Sequence, residues 1–296
     1  METLKVNTNH NGAVYAFQPG LEPGHFFSSA GDRFVAQWKS EDLEQMPFAI
    51  QLDHPAFAMH VIPERSLLIV GTSAGNIHVF DLVEKKEKRN LAVHTQSIYA
   101  FTYLKKDNWL IAACADGTIS IWHVPDWQLI RRIPLGEFKI RALDISSDGY
   151  HVAVGCGDGS IKILETMFFN EIYTLKMHED SVTSVKFHPT KPVLLSGGKD
   201  GHLRVWNMKE DYNHVLSMPA HYAAIYTIAF SPEADYFVST SRDKSFKLWN
   251  AETLEFIEKK EVSGQSHTHS VNCALWLDTT RFITGGDDRK IVLYEV

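Results

Sequence analysis

An all-β repeat array, seven units of four antiparallel strands, is the fold class this sequence predicts. Three observations carry that reading. A tight-turn position is followed six residues later by an aromatic or large apolar residue in seven places: Asp32/Trp38, Ala74/Phe80, Asp116/Trp122, Asp158/Leu164, Asp200/Trp206, Asp243/Trp249 and Asp288/Tyr294. The copies recur at steps of 42, 42, 42, 42, 43 and 45 residues, and a fixed period in this range marks stacked copies of one supersecondary unit. Within the clearest copy, short runs of alternating apolar and polar residues lie between turn residues, which is the pattern of strands. One unit cannot bury its own apolar face, so all seven must share a core and residues 1–296 are expected to form one domain.

Taken in order, the elements begin with one spare strand, Thr3–Val6. In the first repeat His10 stands four residues before apolar Val14, and the turn at Asp32 leads to Trp38. The second places His54 before Ala58, with Ala74 and Phe80 at the turn and partner positions. The third has His94 before Ile98, the turn Ala115-Asp116-Gly117 and Trp122. In the fourth, Gly136 takes the histidine place before Ile140, and Gly157-Asp158-Gly159 precedes Leu164.

The fifth repeat is the most regular. Ser181–Phe187 alternates, Pro192–Gly198 is a nearly continuous apolar-to-small run of the kind buried on both faces, and His202–Trp206 alternates again. Between the last two lies Lys199-Asp200-Gly201, a hairpin turn in which glycine supplies the positive φ. Asn207–Asn213 reads as a polar loop and Val215–Met218 as a short fourth strand. The sixth repeat runs from His221 and Ile225 through Arg242-Asp243-Lys244 to Trp249. The seventh runs from His267 and Val271 through Asp287-Asp288-Arg289 to Tyr294, two residues from the end. That repeat lacks a fourth strand, so the N-terminal segment is expected to pair with Lys290–Val296 and remove two exposed sheet edges.

The composition is 44% hydrophobic and 22% charged, with net charge −7. It lacks the basic footprint of a nucleic-acid or anionic-membrane binder. The run Glu84–Arg89 mixes signs and reads as a solvated loop. No stretch resembles a signal peptide or an apolar span of about 18 residues. Three cysteines argue against a disulfide framework and for a reducing cytoplasm. Cys114 and Cys156 hold the same place in adjacent repeats, too far apart to bridge.

Seven in-phase copies of this pattern resemble the WD-repeat (WD40) family over essentially the whole chain. The resemblance implies a seven-bladed β-propeller around a central channel, closed by the N-terminal strand. It also implies a buried relay in which the turn Asp, the loop His, a Ser/Thr of the second strand and the Trp hydrogen-bond in series. The full set is His10/Ser28/Asp32/Trp38, His178/Ser196/Asp200/Trp206 and His221/Ser239/Asp243/Trp249. A softened copy is His267/Thr284/Asp288/Tyr294, while the third repeat has Ala112 where Ser is expected. A Ser-His-Asp trio that recurs from blade to blade is a building device rather than a catalytic triad.

The resemblance further implies peptide binding at the channel end where the loops before the first strand crowd. The residue after the first apolar position of each inner strand points there: Tyr15, Met59, Tyr99, Arg141, Thr183, Tyr226 and Asn272. So does the residue before each turn Asp: Gly31, Ser73, Ala115, Gly157, Lys199, Arg242 and Asp287. Aromatics and Arg are enriched at interfaces. Arg141, Lys199 and Arg242 fall on three consecutive repeats and suit an acidic or phosphorylated segment, with Arg forming bidentate bonds.

There is no phosphate-binding loop, nucleophile elbow or Cys-x-x-Cys pair. His267-Thr268-His269 lacks a third metal ligand. The expectation is a monomeric, non-enzymatic cytoplasmic scaffold that binds a protein or peptide and needs no cofactor or metal. An enzyme or small-molecule binder using the channel is the alternative, and a stack of Tyr15, Tyr99 and Tyr226 on bases a remoter one.

Overall fold

The computed structural model describes residues 1–261 and 266–296. Among them, seven four-stranded antiparallel sheets stand around a ring. Strand β1 is Glu2–Asn7. Blade one follows as β2–β5 (Val14–Pro19, His25–Ala30, Phe34–Lys39 and Gln45–Gln51). Blades two to six are β6–β9, β10–β13, β14–β17, β18–β21 and β22–β25, beginning at Ala56, Ile98, Ile140, Val182 and Ile225. Blade seven is β26–β28 (Val271–Trp276, Arg281–Gly286 and Ile291–Glu295) completed by β1.

Each blade is ordered by its turns. The hairpin after the second strand holds one residue at positive φ: Gly75, Gly117, Gly159 and Gly201 in blades two to five, with φ between 72° and 92°. Glycine reaches that region without a steric penalty. At Gly201 a Cβ would sit 2.2 Å from the carbonyl oxygen of His221, so the position also needs a bare backbone.

The core lies between blades. One cluster joins Ile69 and Val79 of blade two to Ile98, Leu110 and Trp122 of blade three, and similar clusters repeat around the ring. The third-strand Trp of blades one, three, five and six therefore seals its blade against a neighbour, and Trp38, Trp206 and Trp249 are 1–3% exposed. The ring closes as the sequence predicts. β1 pairs antiparallel with β28 from Glu2↔Glu295 to Asn7↔Ile291, and β26 packs against β2.

The inner strands share an irregularity that shapes the channel. In all seven, the pairing register shifts across a single residue, between Val14/Ala16, Ala56/Ala58, Ile98/Ala100, Ile140/Ala142, Val182/Ser184, Ile225/Thr227 and Val271/Cys273. The skipped residue is a β-bulge, which leaves the ladder and re-aims its side chain.

Candidate functional site

The seven bulged residues are Tyr15, Phe57, Tyr99, Arg141, Thr183, Tyr226 and Asn272, and all seven line a channel cavity of about 680 Å³. They form one ring of side chains at the channel mouth. Blade two corrects the sequence reading. Its inner strand starts at Ala56, so Phe57 holds the bulged mouth position; Met59 also touches the channel wall but is 4% exposed and packs in the core between blades one and two. His54 was a false anchor: it is exposed, and buried Leu52 takes the place four residues before the strand. The period already held the answer, since Phe57 lies 42 residues from both Tyr15 and Tyr99.

The ring is divided. Tyr15 meets Phe57 edge-on at 4.9 Å between centroids, and Phe57 stacks on Tyr99 at 5.7 Å. The Arg141 guanidinium caps the end of that arc, 4.9 Å over Tyr99. Thr183 and Asn272 are tied to neighbouring blades. Thr183 Oγ1 donates to the carbonyl of Ile225, and Asn272 Nδ2 donates to Val14 O at 3.0 Å and Asp287 Oδ1 at 2.8 Å.

Lys199 and Arg242 stand exposed on the turns above blades five and six. Lys199 has Asp180 at 3.7 Å, whereas Arg242 and Arg141 make no ion pair among the described residues. Burial raises the phenol pKa of Tyr226, with Asp287 adding to the rise and the charges of Arg242 and Arg141 opposing it. Tyr15 is raised by burial and by Asp287. The mouth is thus aromatic over blades one to three, cationic over four to six, and acidic at one point in blade seven.

The relay sets form in the blades where the sequence places them. In blade one, His10 is 2.8 Å from Asp32 and 2.7 Å from Ser28, whose hydroxyl accepts from Trp38 Nε1 at 2.6 Å. In blade five, His178 contacts Asp200 at 3.0 Å and Ser196 at 2.8 Å, and Trp206 donates to Ser196 at 2.9 Å. In blade six the same distances for His221, Asp243, Ser239 and Trp249 are 3.0, 2.8 and 2.9 Å. The indole can only donate. The serine hydroxyl therefore donates its O–H to His Nε2, and Nδ1–H donates to the carboxylate.

Sequence reasoning missed three substitutions in this pattern. In blade three the serine comes from the third strand: Ser120 lies directly across the ladder from Ala112, and bonds His94 at 2.8 Å and Trp122 at 2.9 Å. In blade four Phe138 folds over Gly136, where a Cβ would lie 2.2 Å from its ring. In blade five a buried cation joins the set, because Arg204 donates to Asp200 at 2.7 Å with its side chain 6% exposed.

Burial raises the carboxyl pKa values of Asp32, Asp116, Asp200, Asp243 and Asp288, but hydrogen bonds from histidine, turn residues and backbone outweigh it and hold all five low. Burial pushes His94, His178 and His188 below their usual value, and His60 down to about 4, with Lys186 assisting and Glu64 opposing. These histidines are protonated more readily in the unfolded chain. Stability is therefore full above about pH 6.5 and falls as pH drops through their folded values. His60 alone accounts for about 2–3 kcal/mol between pH 7 and 4.5, because each tenfold loss of proton affinity on folding is worth about 1.4 kcal/mol. Urea midpoints at the two pH values check this: His60→Gln is expected to reduce the difference by that amount, and an unchanged difference contradicts it.

Among the described residues, one group of three potential metal ligands is close-set: His94, Cys114 and Asp116. It belongs to the relay of blade three, with the Arg132 guanidinium 2.7 Å from Asp116 and the Cys114 thiol pushed up to about 12 by burial. Those bonds occupy its ligand atoms. Asp144 is paired at 2.6 Å with Lys186, which lines the channel. The three cysteines are buried free thiols, and no described helix is long and apolar enough to cross a membrane.

The chain shares stretches with several characterised proteins. It is 30% identical to the mouse periodic tryptophan protein 2 homolog over 108 residues, 36% of this chain and 12% of that protein. It is 23% identical to eukaryotic translation initiation factor 3 subunit I of Caenorhabditis elegans over 162 residues, 49% of each. It is 24% identical to Drosophila melanogaster protein groucho over 210 residues, 68% of this chain and 28% of that protein. The chain thus spans less than half the length of these relatives. The family model for the WD domain, G-beta repeat, matches residues 85–123, 128–164, 169–207, 212–250 and 259–295. With that match over more than half of its residues, on a ring of seven four-stranded blades, the chain belongs to the WD40 repeat family.

Proposed function

We propose that this protein is a non-enzymatic interaction platform that holds an acidic or phosphorylated segment of a partner protein at the channel mouth. The observation that carries this reading is the bulge ring. Seven blades each aim one side chain at the same opening, and the cations of blades four to six are largely free of carboxylate partners among the described residues. Because the closed ring fixes those side chains before the partner arrives, little ordering entropy is lost on binding. The bent backbone that places them is the same in every blade, so binding chemistry changes by substitution at one position without disturbing the fold.

Similarity to a subunit of a translation initiation factor supports an assembly role. Asp287, the one carboxylate that lines the channel among the described residues, is engaged by Asn272, which supports a binding rather than a catalytic role. We read residues 1–296 as a single domain, monomeric and cytoplasmic, with three reduced, buried thiols as support for the compartment.

The test is affinity capture from the native host with wild type and the triple variant Arg141→Glu/Lys199→Glu/Arg242→Glu, with circular dichroism as the control for folding. The expected result is at least one partner retained by wild type and weakened tenfold or more in the variant, at about 1.4 kcal/mol per tenfold. Partners retained equally by both would move the site away from the mouth.

A further inference from the structure

We propose that the bound segment leaves the mouth over the junction of blades five and six, where Tyr222 clamps an apolar side chain beside the carboxylates read by Arg242 and Lys199; this rests on the mouth reading above. Tyr222 is 93% exposed, the most of any large apolar side chain described. The backbone that carries it is held in place, and the Lys259 ammonium lies 5.3 Å from the centre of its ring. The Tyr222 backbone N–H donates to Asp243 at 3.1 Å, and that carboxylate is fixed by His221 at 3.0 Å. A rigid aromatic side chain offers contact area at a low entropy cost, which is why such residues recur in binding surfaces.

The two cations flank the same loop. The Arg242 N–H donates to Ala224 O at 3.0 Å, two residues beyond Tyr222. The turn that carries Lys199 abuts the loop from the other side, where the N–H groups of Ala220 and His221 donate to Gly201 O at 3.0 and 2.9 Å. Inward, the same loop leads into β22 (Ile225–Phe230), which carries Tyr226 of the mouth ring four residues beyond Tyr222. An exposed ring with the Lys259 ammonium 5.3 Å from its centre, on a loop flanked by the turns of Arg242 and Lys199, selects an extended acidic peptide with an apolar residue in step with its acids.

The probe is a fluorescent peptide selected on wild-type protein from a random library of about 12-residue sequences, its affinity read by anisotropy. The selected peptides are expected to combine acidic residues with an aromatic or aliphatic one. Tyr222→Ala then weakens binding about fivefold or more, and Tyr222→Phe restores it. Arg242→Glu weakens it about tenfold or more, and Lys105→Glu, on an exposed turn at the opposite end of the blades, leaves it unchanged. If Tyr222→Ala binds like wild type while Arg141→Glu abolishes binding, the exit route is wrong and the mouth reading stands. If neither variant has an effect, or wild type enriches no peptide, both are overturned.

Discussion

Removing residues 1–8 opens the ring. The expected loss is roughly 3–6 kcal/mol, with association of the truncated protein in place of a clean monomer. β1 supplies the partner for the outer edge of β28 over five register pairs, from Glu2↔Glu295 to Asn7↔Ile291. Backbone hydrogen bonds of this kind contribute about 0.5–1.5 kcal/mol net each. Val6 adds apolar contact to the cluster containing Val292 and Tyr294, and Asn7 Nδ2 bonds Leu43 O at 3.0 Å, linking the strand to blade one. Without β1, the edge of β28 is left as an unpaired template for another chain. Urea denaturation and size-exclusion chromatography measure both effects. A truncated form that is monomeric and as stable as the full chain would show that the ring is held by blade packing alone.

The second large effect is Asp200→Ala, expected to cost about 3–5 kcal/mol, against about 1–3 kcal/mol for Asp243→Ala. Both carboxylates accept from a buried histidine. Asp200 also neutralises a buried guanidinium, that of Arg204, whose side chain is 6% exposed. Removing the carboxylate leaves that buried cation without a counter-charge, and an unpaired buried charge costs far more than a lost hydrogen bond. The double variant Asp200→Ala/Arg204→Met should therefore be more stable than Asp200→Ala alone. Equal melting temperatures for Asp200→Ala and Asp243→Ala would mean that Arg204 finds water once its partner is gone.

Much of this architecture is legible in the sequence because the period is long and strict. Steps of 42 residues set the number of blades, and the spare segment before His10 marks the closing strand. The errors come from letting local cues outweigh the period. His54 resembles a relay histidine and pulls blade two by two residues, exchanging Phe57 for Met59 at the mouth. Ser120 is invisible as a relay member because side chains directly opposite on a ladder can swap roles, a property of pairing and not of spacing. Arg204 reads as a surface residue of an alternating strand, and Arg is almost never fully buried unless paired. Tyr222 carries no periodic signal, because it lies in a loop whose shape is set by the neighbouring blade's turn.

The most direct test of the account is the footprint of a bound partner, mapped by hydrogen–deuterium exchange on the intact protein. Binding at the mouth predicts slowed exchange in the loops and inner-strand starts around Tyr99, Arg141 and Tyr226 and in the turns carrying Lys199 and Arg242, with the outer strands unchanged. Protection confined to outer strands such as β13 (Gln128–Pro134), or to the opposite end of the blades, would contradict it.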